Sequence, residues 1–138
     1  MFELHPRLVK DCIEVGDFPL SKVMLLNDCH YPWVILVPKR QSIQEIYELS
    51  PIDQQQLVIE SSAVSAAMAE HFSADKMNVA ALGNMVPQLH IHHIVRYKSD
   101  AAWPKPVWGV VNGSAYAEEK LADQLHVLRK ILLPLGMK

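Results

Sequence analysis

The chain has 138 residues, of which 50% are hydrophobic, and it carries a formal net charge of −2 at pH 7. This length and apolar fraction predict a single domain over residues 1–138 with a core of its own. A net charge so close to zero gives no overall attraction for nucleic acid or for an anionic membrane, so neither is expected as a partner.

Targeting and redox signals in the chain are few. No apolar run approaches the ~20 residues of a membrane-spanning helix, and the first residues lack the apolar core of a signal peptide. We therefore expect a cytoplasmic protein. The two cysteines, Cys12 and Cys29, form no CxxC pair and are too few for a disulfide framework, so both are expected to be buried reduced thiols.

The first predicted elements are a short helix and two strands. The helix begins at Pro6, because proline is favoured in the first helical turn, and it should end near Gly16. Strands are then predicted over residues 21–28 and 32–40. The spacer between them has the length of a hairpin turn.

A long helix is predicted to begin at Ser50 and to end near Phe72. Ser50 can cap the helix, Pro51 occupies the first helical position and Asp53 completes an acidic capping box. Apolar and small side chains then recur at helical spacing, which should let the helix lie close on a sheet (Leu57, Ser61, Val64, Met68).

The second half of the chain predicts two more strands and a last helix. The strands cover residues 77–82 and 89–96, joined by a turn over 83–87, and the helix should be capped by Ser114. Strands in pairs with a helix between them favour an α+β domain over a parallel fold. We expect an antiparallel sheet of about five strands with the long helix packed on it and a C-terminal helix.

The last predicted strand contains three histidines among four consecutive residues, His90 to His93. They lie in the segment Gln88-Leu89-His90-Ile91-His92-His93. Because side chains alternate between the faces of a strand, Gln88, His90 and His92 share one face. His93 lies on the other. At ~3.3 Å per residue, His90 and His92 stand about 6–7 Å apart, so both can reach one phosphate group or one metal ion.

The residues alone leave several roles open for these histidines. A strand histidine is commonly a packed or hydrogen-bonded residue, and this interpretation is favoured for His93. His90 and His92 are as compatible with structure as with function, and a metal-binding domain using both is one alternative. No cysteine or carboxylate pair elsewhere has ligand-like spacing, so no metal and no other cofactor is expected.

The stretch from Gly83 to Arg96, GNMVPQLHIHHIVR, resembles the signature of the histidine-triad (HIT) family. That signature is a Gly-Gln-(Ser/Thr)-Val turn followed by His-φ-His-φ-His-φ-φ, where φ is apolar. Weaker similarity extends upstream, so the resemblance covers roughly residues 20–96 and leaves 97–138 as a C-terminal extension. It implies a homodimer that binds a purine nucleotide or dinucleotide.

The resemblance also implies roles for individual residues. It places the family's nucleophile at His90, the third histidine at His92 and the first at Gln88, which together form the predicted catalytic set. In the family, the middle imidazole attacks the α-phosphorus of a nucleoside phosphoramidate or dinucleoside polyphosphate. Water then releases the monophosphate from a nucleotidyl-histidine. The predicted function is accordingly that of a nucleotide hydrolase or nucleotidyl transferase.

A substrate-binding set follows from the same resemblance. Amides of the turn would hold the phosphate, and an asparagine late in the first of the two hairpin strands would hold the ribose. The predicted set comprises Asn27, Asn78, Gly83, Asn84, Met85 and Val86.

Four positions depart from the family pattern. Gln88 cannot carry a charge, Asn84 reaches less far than glutamine and Met85 lacks a hydroxyl group. Trp33 stands where the family often has an auxiliary histidine. These losses keep open a nucleotide-binding module with weak or no catalysis. An imidazole at position 88 would complete the triad, so Gln88→His is expected to raise activity or leave it unchanged.

The segment WPKPVWG after the histidines contains Trp103 and Trp108. For two tryptophans held by two prolines, core or dimer packing is favoured, and a lid or base-stacking wall at the site is the alternative.

Overall fold

The computed structural model describes residues 1–138 and confirms the predicted α+β class. It contains three helices, five strands and two single 3₁₀ turns. In chain order these are α1 (Pro6–Asp11), β1 (Cys12–Asp17), β2 (Ser21–Leu26), β3 (Trp33–Pro38), a 3₁₀ turn (Ile46–Glu48), α2 (Pro51–Phe72), β4 (Lys76–Ala80), β5 (Ile91–Arg96), α3 (Glu118–Leu132) and a second 3₁₀ turn (Leu133–Leu135). None of the helices combines the length and the apolar character that a membrane-spanning segment requires.

The five strands form one antiparallel sheet in the order β1-β2-β3-β5-β4. β3 and β5 are neighbours near its centre, and every residue of both is buried. The segment that carries the histidines therefore lies inside the sheet, while β1 and β4 are the edges.

The two faces of the sheet are covered by different parts of the chain. On one face, alternate residues of β3 such as Val34 and Leu36 pack with Val64 of α2 and Leu128 of α3. On the other face, Trp33 and its neighbours pack with α1 and the C-terminal tail (Ile35, Ile94, Leu8, Ala102, Val107). Burial of apolar surface on both faces explains why β3 is a continuous hydrophobic run.

The prediction of a helix reaching Gly16 is wrong beyond Asp11. Residues Cys12–Asp17 instead pair with β2 as an edge strand, with a bulge between Glu14 and Gly16. A Cβ atom at position 16 would lie 2.7 Å from the backbone oxygen of Lys138, so only glycine fits there. A short apolar segment satisfies helical and strand periodicity alike, and pairing with β2 decided between them.

The remaining boundaries follow their local signals more closely. α2 begins and ends as predicted, with the Ser50 hydroxyl accepting a hydrogen bond from the Asp53 amide at 3.1 Å. Ser114 does not cap the last helix, which begins at Glu118. The carbonyl of Ser114 instead accepts a hydrogen bond from the Cys29 amide at 2.7 Å, which joins the tail to the β2–β3 hairpin.

The two cysteines have different environments. Cys12 is buried, and burial followed by the nearby Asp11 charge raises the pKa of its thiol to about 12. Cys29 is exposed in the turn between β2 and β3, so the expectation of a buried thiol is wrong there. Hairpin turns lie at the surface, where no apolar neighbours cover them.

His93 is the packed, hydrogen-bonded histidine that the strand alternation predicts. It is fully buried beneath α2, where its Nδ1 donates to the Val34 carbonyl at 3.3 Å and its Nε2 accepts from the Ser61 hydroxyl at 2.8 Å. Burial lowers the pKa of His93 to about 4, against the opposing effect of its backbone hydrogen bonds. The ring is therefore neutral at neutral pH.

We expect the free energy of unfolding to decrease as the pH falls from about 6.5 to about 4. In this window the unfolded chain binds a proton at His93 that the native protein does not bind, so acid favours unfolding. The lowering of the pKa from 6.5 to about 4 corresponds to a loss on the order of 3 kcal/mol. His92, whose pKa is lowered to about 3, adds a loss of its own over the same window. The part due to His93 is therefore the difference in loss between the wild type and a variant without His93, measured by urea unfolding at pH 7 and pH 4.

The variant His93→Ala provides the comparison. It should be less stable at pH 7 by about 2–4 kcal/mol, because it leaves a cavity and two unpaired polar groups. It should then lose less stability than the wild type on acidification. Equal losses in the two proteins would contradict the assignment of His93.

Candidate active site

His90 and His92 lie together on the sheet face opposite α2. Their ring centroids are 4.9 Å apart, which is less than the ~6–7 Å between alternate residues of a strand. Each of the two residues is only 7% exposed. β5 places His92 directly, whereas His90 immediately precedes the first residue of β5. The structure thus brings these two predicted site residues together, with His93 turned to the other face.

His90 is oriented by the backbone of its own strand segment. Its Nδ1 lies 2.7 Å from the carbonyl oxygen of Gln88. A carbonyl oxygen can only accept, so Nδ1 carries the hydrogen and donates it. In the neutral ring, Nε2 then keeps its lone pair and is available as a nucleophile.

His92 receives the opposite kind of hydrogen bond. The indole Nε1 of Trp33 donates to its Nδ1 at 3.0 Å. Burial, followed by the neighbouring His90 and His93, lowers the pKa of His92 to about 3, so the ring is neutral at neutral pH. Since its Nδ1 is an acceptor, its Nε2 carries the hydrogen.

The two tryptophans of the tail have separate surroundings. Trp108 lies edge-on to His92 at 5.1 Å and to Trp33 at 5.6 Å between ring centroids. The buried guanidinium of Arg96 lies over the ring of Trp103, with Cζ of Arg96 5.7 Å from the ring centroid. Of the two roles that the sequence leaves open, the wall of the site therefore fits Trp108 and packing fits Trp103.

Gln88 uses its side chain to hold the N-terminal segment. Its Oε1 accepts from the His5 amide at 2.8 Å, and its Nε2 donates to the Glu3 carbonyl at 2.8 Å. Phe2 and Leu4 of the same segment pack against the apolar cluster that contains Trp33. Gln88 thus contributes its backbone carbonyl to His90, while its carboxamide is occupied elsewhere.

The turn before the histidines borders two cavities. Gly83 has a φ of +78°, which favours glycine, and with Gln88 and His90 it lines a narrow cavity of about 20 Å³. Met85 and Val86 line a second cavity, of about 280 Å³, with His5, Arg7 and Asp11. The side chains of Asn84 and Met85 are exposed to solvent.

Asn27 borders a third cavity, of about 330 Å³, which Lys10, Asp11 and Gly113 also line. Asp11 therefore lines both this cavity and the one beside Met85 and Val86. The Oδ1 atom of Asn27 accepts from the Tyr116 amide at 3.0 Å, which leaves the side-chain NH2 group to donate to a ligand.

Asn78 of β4 lies opposite Ile94, on the same sheet face as His92, and its place in the substrate-binding set stays a prediction. Its Oδ1 accepts from Arg96 at 2.8 Å, and Arg96 also makes two bonds to Asp100 at 2.8 and 3.0 Å. Arg96 is buried, and a buried guanidinium requires acceptors for its N–H groups. Asn78 is one of them.

One group of three side chains has metal-ligand types within reach of one another, Asp28, Cys29 and His30 in the β2–β3 turn. It includes neither His90 nor His92. The alternative of a metal site built on these two histidines therefore gains no third ligand from the fold.

Two parts of the site were not identified from the sequence, namely Trp33 as a partner of His92 and the N-terminal segment as a partner of Gln88. Trp33 was taken as the loss of a histidine, although a buried indole N–H requires an acceptor and His92 lies on the neighbouring strand. The N-terminal segment gave no signal, because its contacts with Gln88 join residues more than 80 positions apart.

The structure adds an expectation for the Gln88→His variant, which concerns the N-terminal segment. The shorter imidazole cannot replace both bonds of the carboxamide, so we expect the segment around Glu3 and His5 to detach more often. Amide hydrogen exchange should accelerate there on the order of 10-fold or more, with Gln55→His on the exposed side of α2 as the control. Unchanged exchange in Gln88→His would show that the two bonds do not hold the segment.

Comparison with known proteins gives concordant results. The family model for the HIT domain matches residues 7–99. A histidine triad protein from Marinobacter aquaeolei VT8 is 55% identical with a TM-score of 0.95, and 98% of each chain is covered. One from Bradyrhizobium japonicum is 48% identical with a TM-score of 0.91, covering 94% of this chain and 96% of that one.

A third histidine triad protein, from Sinorhizobium meliloti 1021, is 40% identical with a TM-score of 0.92, covering 96% of this chain and 98% of that one. Comparison with curated protein sequences gives no match. The family model covers more than half of the chain, and all three structures align over nearly its whole length. The chain therefore belongs to the histidine-triad (HIT) domain family.

Proposed function

We propose that this protein is a nucleotide hydrolase or nucleotidyl transferase in which His90 attacks the α-phosphate of a purine nucleoside phosphoramidate or dinucleoside polyphosphate. The observation that carries the proposal is the orientation of His90, whose Nδ1 donates to the Gln88 carbonyl at 2.7 Å and whose Nε2 is left as a nucleophile. Membership of the HIT family supports a nucleotide as the ligand.

In the first step, the lone pair of His90 Nε2 forms a bond to the α-phosphorus. The bond from phosphorus to the leaving group breaks, and the leaving group departs with its electron pair and, if it is an amine, takes up a proton from water. The imidazole of His90 becomes positively charged. The Gln88 carbonyl, as acceptor of the Nδ1 hydrogen, stabilises that charge.

Negative charge on the non-bridging phosphate oxygens needs N–H donors. His92 offers its Nε2–H, and amides of the turn over Gly83, Asn84, Met85 and Val86 offer others. Because His92 is neutral, its contribution is a hydrogen bond and not a full charge. The ribose is assigned to the free NH2 group of Asn27.

In the second step, water attacks the phosphorus of the nucleotidyl-histidine. The bond from phosphorus to Nε2 breaks and its electron pair returns to the ring, while the proton of the attacking water leaves to solvent. A nucleoside monophosphate and neutral His90 result. Transfer to another acceptor follows the same course with that acceptor in place of water.

One observation favours slow turnover. The carboxamide of Gln88 is bonded to Glu3 and His5, so at most one of its two N–H groups is left to donate to the phosphate. A nucleotide-binding protein with weak catalysis is therefore the second candidate, and the experiment on His90 distinguishes the two.

We predict that His90→Asn lowers monophosphate release on the order of 10⁴-fold, while the melting temperature and the affinity for nucleoside monophosphate remain nearly unchanged. The amide cannot form the covalent intermediate, and no neighbouring group replaces it. The assay uses a panel of nucleoside phosphoramidates and dinucleoside polyphosphates.

His126→Asn is the matched control, because His126 is an exposed histidine on α3, in the layer on the other face of the sheet. It should retain wild-type activity. Turnover in His90→Asn at more than a tenth of the wild-type rate would refute the covalent role of His90. Tight nucleotide binding without turnover in the wild type would favour the second candidate.

We also propose that the protein is a homodimer. Apolar side chains on the outer side of α2, namely Ile52, Val58 and Ile59, are between 62% and 77% exposed, and Val79 is exposed on the edge strand β4. Leu132 of α3 does not contribute to this surface, because it is buried in the core of its own chain. Exposed apolar groups beside an open sheet edge favour pairing with a second copy.

Light scattering should give twice the monomer mass at micromolar concentration. Val58→Asp should shift the protein toward the monomer, because a carboxylate on the apolar face of α2 would be buried in the dimer. Val9→Asp, at an exposed valine of α1 in the layer on the other sheet face, is the control and should remain dimeric. A monomeric wild type would contradict the proposal.

A further inference from the structure

The hydrogen bond between Trp33 and His92 joins two buried side chains that have few alternatives. Trp33 is 5% exposed and His92 is 7% exposed, and the bond length is 3.0 Å. An indole N–H can only donate. If His92 carried a hydrogen on Nδ1, two donors would face each other in the interior and neither would have an acceptor.

The neighbouring imidazole shows what this bond decides. His90 has a backbone carbonyl at its Nδ1, whereas His92 has an indole N–H there. The same ring therefore adopts opposite tautomers at two positions 4.9 Å apart, with a lone pair on Nε2 of His90 and a hydrogen on Nε2 of His92. One ring becomes a nucleophile and the other a donor.

We propose that Trp33 is a positioning residue that fixes His92 as an N–H donor toward a phosphate oxygen of the substrate. This inference rests on the proposed function. Without the indole N–H, the Nδ1–H tautomer of His92 becomes accessible. Its Nε2 lone pair would then face the phosphate oxygens, and the transition state would lose a donor.

The neutral state of His92 is consistent with this role. Burial, then the neighbouring His90 and His93, keeps its pKa far below neutral pH, so protonation of both nitrogens does not provide a second way to present Nε2–H. The tautomer is then the only property that decides whether His92 donates.

Trp108 provides a matched comparison. Its ring also lies edge-on to His92, at 5.1 Å, and to Trp33, at 5.6 Å, but it makes no hydrogen bond to His92. Replacing its indole therefore perturbs aromatic packing at the same imidazole and leaves the donor to Nδ1 in place.

The experiment replaces Trp33 by 3-benzothienylalanine, which keeps the shape of the indole and substitutes sulfur for the N–H group. The tautomer of His92 is measured by ¹⁵N NMR on protein labelled at its histidines, with the His92 signals assigned by their loss in His92→Gln. Trp33→Phe is a second variant, and Trp108→Phe is the control.

In the wild type and in Trp108→Phe, we expect His92 to be protonated at Nε2 alone. In both Trp33 variants, the Nδ1–H tautomer should become populated. With it, kcat should fall on the order of 10-fold while KM changes less than about 3-fold, because a donor to the transition state is lost and binding is retained.

An unchanged tautomer in the benzothienyl variant would overturn the proposal, as would a changed tautomer with unchanged kcat. The NMR measurement does not require turnover, so it tests the Trp33–His92 bond even if no substrate is hydrolysed. Absence of turnover in the wild type would refute the proposed function and, with it, the role of His92 as a donor to the transition state.

Discussion

The alternation of side chains along β5 is the constraint on which the site depends. β5 lies between β3 and β4 and is buried on both faces, so each side chain must be accommodated by one layer or the other. His93 falls on the side of α2 and His92 on the side of the tail and the N-terminal segment. A shift of register by one residue would exchange them, and apolar Ile94 and Val95 would exchange with them. The packing of the core thus fixes which histidine is available for chemistry.

The hydrogen-bond partners of His90, His92 and His93 give these three imidazole rings different properties. His93 is satisfied on both nitrogens by Val34 and Ser61, and its contribution is to stability. His90 donates to a carbonyl, and His92 accepts from an indole. Burial keeps His92 and His93 neutral at neutral pH. Which nitrogen carries the hydrogen is decided by the neighbouring group, and this is the property that a catalytic role requires.

Local signals in the sequence predicted the sheet, the long helix and the sharing of one face by His90 and His92. Ser50 and Pro51 mark the start of α2 through contacts within one turn, so nothing distant could alter the prediction. The role of Trp33 depends on a bond between residues 59 positions apart, and that of Gln88 on bonds to residues 83 and 85 positions away. The bond from Asn78 to buried Arg96 was likewise not apparent from the sequence, because the need of that guanidinium for acceptors becomes apparent only in the folded chain.

The central claim is that His90 forms a covalent bond to the substrate's α-phosphorus. It is tested most directly by rapid quenching during turnover of a nucleoside phosphoramidate, at alkaline pH to preserve the phosphorus–nitrogen bond, followed by peptide mass spectrometry. We expect one nucleotidyl group on the peptide that contains the histidine segment, with fragmentation placing it on His90. A nucleotidyl group on His92, or the absence of any adduct while single-turnover kinetics require an intermediate, would contradict the account.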